Sequence, residues 1–252
     1  MTGKTVLVTG AAKRIGRAIA LDLAENGYAV AIHYHHSAED ARGLAGDIVA
    51  EGGRATMVSG DLADPAVPER LIADAAAALG PVTALVNNAS LFEPDDPATV
   101  TAEHWDLQLD VNLRAPVLLA RHFAAALPSG KTGAIVNLID QRVLKPTPMF
   151  FSYAVSKEAL WSATRMLAQG LAPTIRVNAV APGPTLPNVR QSMDDFHRQQ
   201  DAVLLHRGPT VMEIAEATRF LLESPSVTGQ MLVVDGGQHL AWETPDVVGI
   251  KE

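Results

Sequence analysis

Short apolar runs alternate with longer segments of helical periodicity along this chain, and this alternation constrains the fold more than any other feature. Strands that alternate with helices form parallel sheets, whose right-handed crossovers place helices on both faces. The sequence therefore predicts an α/β fold with a single doubly wound parallel sheet of about seven strands and helices on both faces. Strands are predicted at 5–9, 28–34, 54–59, 83–86, 133–138, 174–180 and 231–234, and helices at 15–25, 38–51, 65–79, 102–127 with an interruption at Pro116, 152–171 and 213–222.

The composition agrees with one large domain that spans residues 1–252. Of these residues, 48% are apolar, which is enough to bury a sizeable core, and no linker-like segment divides them. The formal charge of -8 argues against binding to nucleic acid or an anionic membrane. The absence of cysteine excludes disulfides and thiolate chemistry. No signal-peptide region or bilayer-length apolar run is present, so a cytoplasmic protein with small polar metabolites as partners is expected.

A glycine-rich turn joins the first predicted strand to the first predicted helix. It contains Gly10, Lys13, Arg14, Ile15 and Gly16. Backbone N–H groups at the start of such a helix can face a pyrophosphate, and glycine permits close approach and tight packing. The turn thus indicates a Rossmann-type dinucleotide site, with a plain strand–helix turn as the alternative.

The residues after the second predicted strand favour NADPH over NADH. An NAD site usually has an acidic residue here, which accepts a hydrogen bond from the ribose 2′-hydroxyl. This chain has three histidines and a serine within 33–37, and the nearest carboxylates belong to the next predicted helix. Lys13, His36 and Ser37 are therefore predicted to meet a 2′-phosphate. Metal binding by the three histidines is the alternative, although successive strand residues point to opposite faces.

Tyr153 and Lys157 are four residues apart in a predicted helix, so their side chains share one helix face. A phenol with a pKa near 10 is a poor acid or base at neutral pH, but a neighbouring ammonium lowers that pKa. Asp140 stands thirteen residues before Tyr153, just after the fifth predicted strand. The pair alone is also compatible with an ordinary solvated helix face.

Taken in order, these motifs resemble the short-chain dehydrogenase/reductase family over nearly the whole chain. Most of that family has serine at the place of Asp140 and a third glycine at the place of Arg14. Asp140, Arg14 and Phe92 resemble the pteridine reductase branch instead. The resemblance implies a single dinucleotide-binding and catalytic domain, NADPH as cofactor, a pterin as substrate and a homotetramer.

The same resemblance implies a reaction in which hydride passes to a 7,8-dihydropterin of the dihydromonapterin or dihydrobiopterin type. Asp140 and Tyr153 would supply the proton to the ring nitrogen. Lys157 would bind the nicotinamide ribose and lower the pKa of Tyr153, and Asn112 would bind a water that links Lys157 to solvent. An ionised carboxylate at position 140 would repel a developing alkoxide, which counts against ordinary ketone reduction.

The resemblance also implies the ligand contacts. Arg14 and Ser90 would hold the polar edge of the pterin, and Phe92 would stack on its face. From the residues alone, Phe92 as core filler, Asp61 as a turn cap and Asn112 bonded only to nearby backbone are the alternatives. The expected cofactor contacts are Gly10, Lys13, Arg14, Ile15, His36, Ser37, Asp61, Leu62, Asn88, Ala89, Ser90, Lys157, Pro182 and Gly183.

Two C-terminal segments fall outside the alternation of strands and helices. Residues 186–210 are polar with weak periodicity, which predicts a mobile lid over the substrate or, alternatively, a disordered insertion. Residues 238–252 are predicted to form a tail without clear structure. In related tetramers a residue near this point enters a neighbour's site, and Trp242 stands where some pteridine reductases have arginine.

Two other functions stay open. One is reduction of a carbonyl, such as a 3-oxoacyl thioester or a sugar ketone, against which Asp140 and Phe92 argue. The other is a non-catalytic NADPH-binding sensor, which would have no need of a proton relay such as Asp140, Tyr153 and Lys157.

Overall fold

The computed structural model describes residues 4–250, which contain one sheet of seven strands. The strand order is β3-β2-β1-β4-β5-β6-β7 and every pairing is parallel. The order reverses between β1 and β4, and α/β sheets bind ligands at such a point, beside the carboxyl ends of the strands. The predicted fold class is confirmed. The strands are β1 (Lys4–Val8), β2 (Tyr28–Tyr34), β3 (Arg54–Ser59), β4 (Val82–Asn87), β5 (Gly133–Leu138), β6 (Ile175–Pro182) and β7 (Met231–Val234).

Eight α-helices lie within residues 4–250. Buried apolar side chains of α1, α2 and α8 form a core on one face of the sheet, and those of α3, α5 and α6 form a core on the other. None of the helices in this part of the chain is both long and apolar enough to cross a membrane. The helices are α1 (Arg14–Glu25), α2 (Ala38–Ala50), α3 (Val67–Leu79), α4 (Ala102–Leu109), α5 (Ala115–Ala126), α6 (Phe151–Leu171), α7 (Met193–Asp201) and α8 (Val211–Glu223).

The helical segment predicted at 102–127 contains a wide turn that the sequence pattern did not indicate. A π-helical turn, Asp110–Arg114, joins α4 to α5 without a break. Pro116 has no N–H for the carbonyl of Asn112, and its ring would clash with that carbonyl in a regular α-helix. The wider turn relieves this conflict just before the proline, and such turns are frequent at functional sites.

The predicted lid at 186–210 includes a regular helix, α7, where only weak periodicity was expected. Ser192 caps this helix, since its hydroxyl accepts a hydrogen bond from the Asp195 N–H at 3.1 Å. Phe196 is the only buried residue among the nine residues of α7, so the helix has no repeated apolar positions from which it could be predicted. The predicted tail begins with one 3₁₀ turn, Gln238–Leu240, and its residues 251–252 lie outside the described residues.

Candidate active site

A cavity of about 550 Å³ opens beside the carboxyl ends of β1, β5 and β6. The glycine turn, the segment after β5 and the lid form its walls. This is the edge of the sheet at which the sequence places its candidate residues. Seven of them line the cavity: Arg14, Ile15, Phe92, Asp140, Tyr153, Pro182 and Gly183.

Asp140 and Tyr153 meet in this cavity as predicted. The Tyr153 hydroxyl donates to Asp140 Oδ2 at 2.8 Å, and the Arg142 N–H donates to Asp140 Oδ1 at 2.8 Å. Burial raises the pKa of Asp140, and burial together with the charge of Asp140 raises the pKa of Tyr153 well above 10.0. The phenol therefore keeps its proton at neutral pH, and the pair can hold and pass a proton within one short hydrogen bond.

Lys157 lies close to this pair but acts differently from the prediction. Its Nζ donates to the Leu138 carbonyl at 2.8 Å and lies 5.7 Å from the centre of the Tyr153 ring. Burial lowers the pKa of Lys157 to about 8. The predicted lowering of the Tyr153 pKa by Lys157 is wrong for this geometry, because the carboxyl of Asp140 contacts the hydroxyl directly and acts with the opposite sign.

Asn112, at the middle of the π-helical turn, is completely buried and joins the loop after β4 to α6. Its Oδ1 accepts from Leu91 N at 2.8 Å and Ser90 Oγ at 3.1 Å, and its Nδ2 donates to Leu91 O at 2.9 Å and Ser156 Oγ at 3.1 Å. The alternative in which it bonds only to nearby backbone is wrong. A water link to Lys157 stays a prediction, for which the Asn112 carbonyl is the suitable acceptor because Pro116 lacks the usual i+4 donor.

Phe92 faces the cavity beside a second phenylalanine that sequence reasoning missed. The Phe92 ring stacks on Phe150 with centroids 4.1 Å apart and meets Tyr153 edge-on at 4.6 Å. Because Phe92 is only partly buried and lines the cavity, its alternative role as core filler is wrong. Phe150 caps α6 in the left-handed region, with φ 56°, and its N–H donates to the Asp95 carbonyl at 2.8 Å. Such strain is typical of functional sites and has no sequence signal at a phenylalanine.

The glycine turn presents unpaired donors to an anion. Lys13 is the N-cap of α1, and its side chain makes no capping hydrogen bond, so the first-turn N–H groups lack a side-chain partner. Backbone donors at a helix N-terminus, with Lys13 and Arg14 beside them, suit the phosphates of a dinucleotide. Arg14 also reaches the lid, because its Nη1 donates to the Pro187 carbonyl at 2.9 Å.

The loop after β4 holds the glycine turn in place. Asn88 Nδ2 donates to the Gly10 carbonyl at 3.1 Å, and Ala89 N donates to Thr9 Oγ1 at 3.0 Å. A Cβ on Gly16 would lie 2.3 Å from the Gly10 carbonyl oxygen and 2.5 Å from Asn88 Nδ2. The close packing expected of this glycine is therefore present. Asn88 and Ala89 contact the turn, and their contacts with the cofactor stay predictions.

His33 is a structural part of this site that the sequence prediction passed over. Its Nδ1 accepts from the Gly10 N–H at 3.1 Å, which leaves Nε2 to donate to the Gly60 carbonyl at 3.1 Å. Burial lowers the pKa of His33 to about 4. Both ring nitrogens are therefore occupied, and the alternative metal site that includes His33 is wrong. A histidine within the apolar run 28–34 is the signal that could have identified it.

The predicted 2′-phosphate region contains the expected basic groups together with a carboxylate. Lys13 Nζ forms an ion pair with Asp40 Oδ2 at 2.9 Å. The nearest carboxylates belong to the next helix as predicted, but the expectation that none of them would repel a 2′-phosphate is wrong, because Asp40, in the first turn of α2, reaches Lys13 at the start of α1. His36 stacks against His35 with ring centroids 3.5 Å apart, and Ser37 is the N-cap of α2 with its hydroxyl free of a capping bond.

The remaining predicted cofactor-binding residues lie after β3, at one side of the site, and after β6, at the other. Asp61 Oδ1 accepts from the Ala63 N–H at 2.9 Å, so the turn-cap alternative is what the structure shows, and its contact with adenine stays a prediction. Leu62 is buried beside it. At the other side, a Cβ on Gly183 would lie 2.6 Å from the Asp235 Cα, so only glycine fits.

This chain is similar to known proteins over most of its length. A family model described as enoyl-(acyl carrier protein) reductase matches residues 10–239. A short-chain type dehydrogenase/reductase of Picea abies is 33% identical and covers 94% of this chain and 92% of its own. The 3-oxoacyl-[acyl-carrier-protein] reductase FabG of Staphylococcus epidermidis is 30% identical, and the match covers 94% of this chain and 99% of that protein. The crystal structure of FolM alternative dihydrofolate reductase 1 from Brucella canis, complexed with NADP, is 49% identical, covers 97% of both chains and has a TM-score of 0.94. This chain belongs to the short-chain dehydrogenase/reductase family.

Proposed function

We propose that this chain is an NADPH-dependent reductase that converts a 7,8-dihydropterin to a tetrahydropterin. The observation that carries the proposal is the 2.8 Å hydrogen bond between Tyr153 and Asp140, in a cavity that Phe92 also lines. A carboxyl beside the phenol suits a substrate whose ring edge offers N–H groups and a nitrogen to protonate. An ionised carboxyl disfavours an alkoxide product at the same place. The 49% identity to FolM alternative dihydrofolate reductase 1 supports the same substrate class.

The residues of the chain would manage the proton. NADPH would supply the hydride to a ring carbon, and the adjacent ring nitrogen then needs one proton. Asp140 and Tyr153 both have raised pKa values, so the pair retains a proton near neutral pH and can deliver it. The pair would regain that proton from solvent after the tetrahydropterin leaves.

The cofactor would lie along the carboxyl ends of β1, β2, β4 and β6. The first-turn N–H groups of α1 would bind the pyrophosphate, while Lys13, His36 and Ser37 would meet the 2′-phosphate. Lys157 would bind the nicotinamide ribose, and the Pro182–Gly183 backbone the carboxamide. The crystallised FolM relative is complexed with NADP, which supports this choice of cofactor. A homotetramer is proposed from the family resemblance.

Carbonyl reduction is the second candidate because FabG of Staphylococcus epidermidis is 30% identical over 94% of this chain. A panel of NADPH oxidation rates with 7,8-dihydropterins, 3-oxoacyl thioesters and sugar ketones separates the two functions. Higher kcat/KM for the carbonyl substrates would replace the pterin proposal.

Substitution of Asp140 tests the proposed chemistry. Asp140→Ala is expected to lower kcat with 7,8-dihydropterins about 100-fold or more, the scale of a lost proton donor, without loss of NADPH binding. Asp106→Ala, at an exposed position of α4, removes a carboxyl outside the cavity and serves as the control. Asp140→Ser is expected to gain ketone reduction. Full pterin turnover by Asp140→Ala would remove Asp140 from the reaction.

A further inference from the structure

Asp95 is a buried carboxylate beside the candidate site that the proposed reaction does not use. It lies in the loop between β4 and α4, three residues after Phe92, and its side chain is 2% exposed. A carboxylate loses its hydration at such a position, which costs free energy unless other groups stabilise the charge. The partners of Asp95 therefore indicate what it does.

The main partner of the Asp95 side chain lies at the start of α6. The Ser152 N–H donates to Asp95 Oδ1 at 3.1 Å, and Ser152 N also lies 3.3 Å from Oδ2. The first turn of a helix has unpaired N–H groups and a partial positive charge, so a carboxylate at this place caps the helix and is stabilised by it. His104 Nδ1 lies 3.9 Å from Asp95 Oδ2, which is beyond hydrogen-bond distance.

Helix α6 depends on this distant cap because its own N-cap residue supplies none. Phe150 occupies the N-cap position and makes no capping hydrogen bond through its side chain. Asp95 also holds this residue through the backbone, since its carbonyl accepts from the Phe150 N–H at 2.8 Å and from the Phe151 N–H at 3.4 Å. Asp95 thus binds three successive N–H groups at the start of α6.

These contacts join two parts of the cavity wall. The loop after β4 carries Phe92, whose ring stacks on Phe150, while the first turn of α6 carries Tyr153. A helix capped by its own N-cap residue would keep that cap when a neighbouring loop moved. Because Asp95 is the cap, a shift of the loop away from α6 breaks the capping hydrogen bond as well.

The loop is also held on the other side of Phe92. Asn112 accepts from the Leu91 N–H at 2.8 Å and donates to the Leu91 carbonyl at 2.9 Å. Asn112 in turn donates to Ser156 Oγ on α6 at 3.1 Å. Phe92 therefore lies between two points at which the loop is attached to the helix that carries Tyr153.

We infer that Asp95 is a positioning residue that fixes the ring of Phe92 relative to the proton donor Tyr153. This inference rests on the proposed reduction of a pterin, and it assigns a role in that reaction to a residue that does not line the cavity. Stacking requires alignment with the substrate ring, and proton transfer requires hydrogen-bond reach. A misplacement of about 1 Å between the two groups can lower the rate by about 100-fold.

Asp95→Ala tests this role, because it removes the side-chain cap and leaves the backbone contacts of residue 95. It is expected to lower kcat/KM for 7,8-dihydrobiopterin about 10-fold and to weaken binding of this pterin to the NADP⁺ complex about three- to tenfold. The Kd of NADPH should change by less than about twofold, because the glycine turn shares no partner with Asp95. Asp95→Asn keeps an oxygen for the Ser152 N–H and should restore most of the lost activity.

Thr210→Ala is the matched control for the loss of a helix cap. The Thr210 hydroxyl accepts from the Glu213 N–H at 3.2 Å and caps α8, which does not line the cavity. This substitution should lower the thermal midpoint, as Asp95→Ala does, because both remove a capping hydrogen bond. It should leave kcat/KM and the Kd of the pterin unchanged.

A double-mutant cycle separates positioning from a general loss of stability. If Asp95 acts through Phe92, Asp95→Ala should weaken pterin binding much less in a Phe92→Ala background than in the wild-type chain. A merely structural role predicts the same factor in both backgrounds. That result, or unchanged kcat/KM and Kd in Asp95→Ala, would overturn the inference.

Failure of the proposed function would have a different signature. Binding of 7,8-dihydrobiopterin to the wild-type protein without its reduction would contradict the proposed function. The double-mutant cycle uses the Kd of the pterin and needs no turnover, so it would still decide the role of Asp95.

Discussion

A single residue, His33, makes the free energy of unfolding depend on pH. Burial lowers its pKa from 6.5 to about 4, so the unfolded chain binds more protons between these two values. The free energy of unfolding should therefore be highest above pH 6.5 and fall as the pH is lowered toward 4. This one group accounts for a loss of about 3 kcal/mol, which urea unfolding at several pH values would measure.

The non-titrating variant His33→Gln provides the comparison. It should be less stable at neutral pH, because it disturbs the hydrogen bonds to Gly10 and Gly60, but its stability should fall less steeply between pH 6.5 and 4. His122→Gln, on α5, should retain the slope of the wild-type chain. An identical slope in His33→Gln and the wild type would contradict the assignment.

At the residue scale, the sequence predicted which side chains meet better than it predicted how they act on one another. Asp140 follows β5, and Tyr153 lies in the first turn of the next long helix, α6. The end of β5 and the start of α6 lie at the same edge of the sheet. The pKa of Tyr153 depends on whether a carboxyl or an ammonium contacts its hydroxyl. Which of the two groups contacts the hydroxyl depends on differences of a few ångströms between side-chain atoms, and the spacing of a sequence motif does not determine these distances.

Gly16 decides how closely the element α1 packs against the glycine turn. A Cβ at this position would meet the Gly10 carbonyl oxygen at 2.3 Å, and a backbone atom cannot move aside as a flexible side chain can. Gly16→Ala should therefore displace α1, lower the free energy of unfolding by about 1–3 kcal/mol and weaken NADPH binding. Thermal or urea unfolding and equilibrium NADPH titration would measure these effects.

A matched substitution elsewhere on the same face of the sheet should act in the opposite direction. Gly43 lies in the interior of α2, and a Cβ there meets nothing within 4 Å. Gly43→Ala should raise the free energy of unfolding by about 0.4–1 kcal/mol, because it restricts the unfolded chain and favours the helix. Equal effects of the two substitutions would show that packing at Gly16 is not the cause.

Elements with a repeated apolar pattern were predictable, and elements defined by a single contact were not. All seven strands and the long helices follow from burial of one or both faces. Helix α7 is held by Phe196 and a serine cap, and the π-helical turn by the missing N–H of Pro116. Neither feature repeats along the sequence, so periodicity could not reveal it.

The candidate site is a property of the whole molecule, because its parts come from both halves of the sheet. The glycine turn and the residues after β2 lie on one side of the β1–β4 reversal, and Asp140, Tyr153 and Gly183 lie on the other. A ligand that contacts both halves binds only the folded chain and stabilises all of it. At a free concentration about 100 times its Kd, NADPH should add about 2.7 kcal/mol to the free energy of unfolding.

The stabilisation by each cofactor also reports the preference of the protein for NADPH over NADH. The Lys13–Asp40 pair is half-exposed, and a bound 2′-phosphate would compete with the Asp40 carboxylate for Lys13. Asp40→Asn should therefore tighten NADPH binding by about two- to fivefold, the scale of an exposed ion pair, and leave NADH affinity unchanged. Asp47→Asn, which removes a carboxylate of the same helix, α2, and breaks its ion pair with Arg17 of α1, is the control. The shift of the thermal midpoint at equal cofactor concentrations gives the readout independently of turnover. Equal gains for both cofactors, or weaker NADPH binding in Asp40→Asn, would mean that Asp40 orients Lys13 rather than competing with the phosphate.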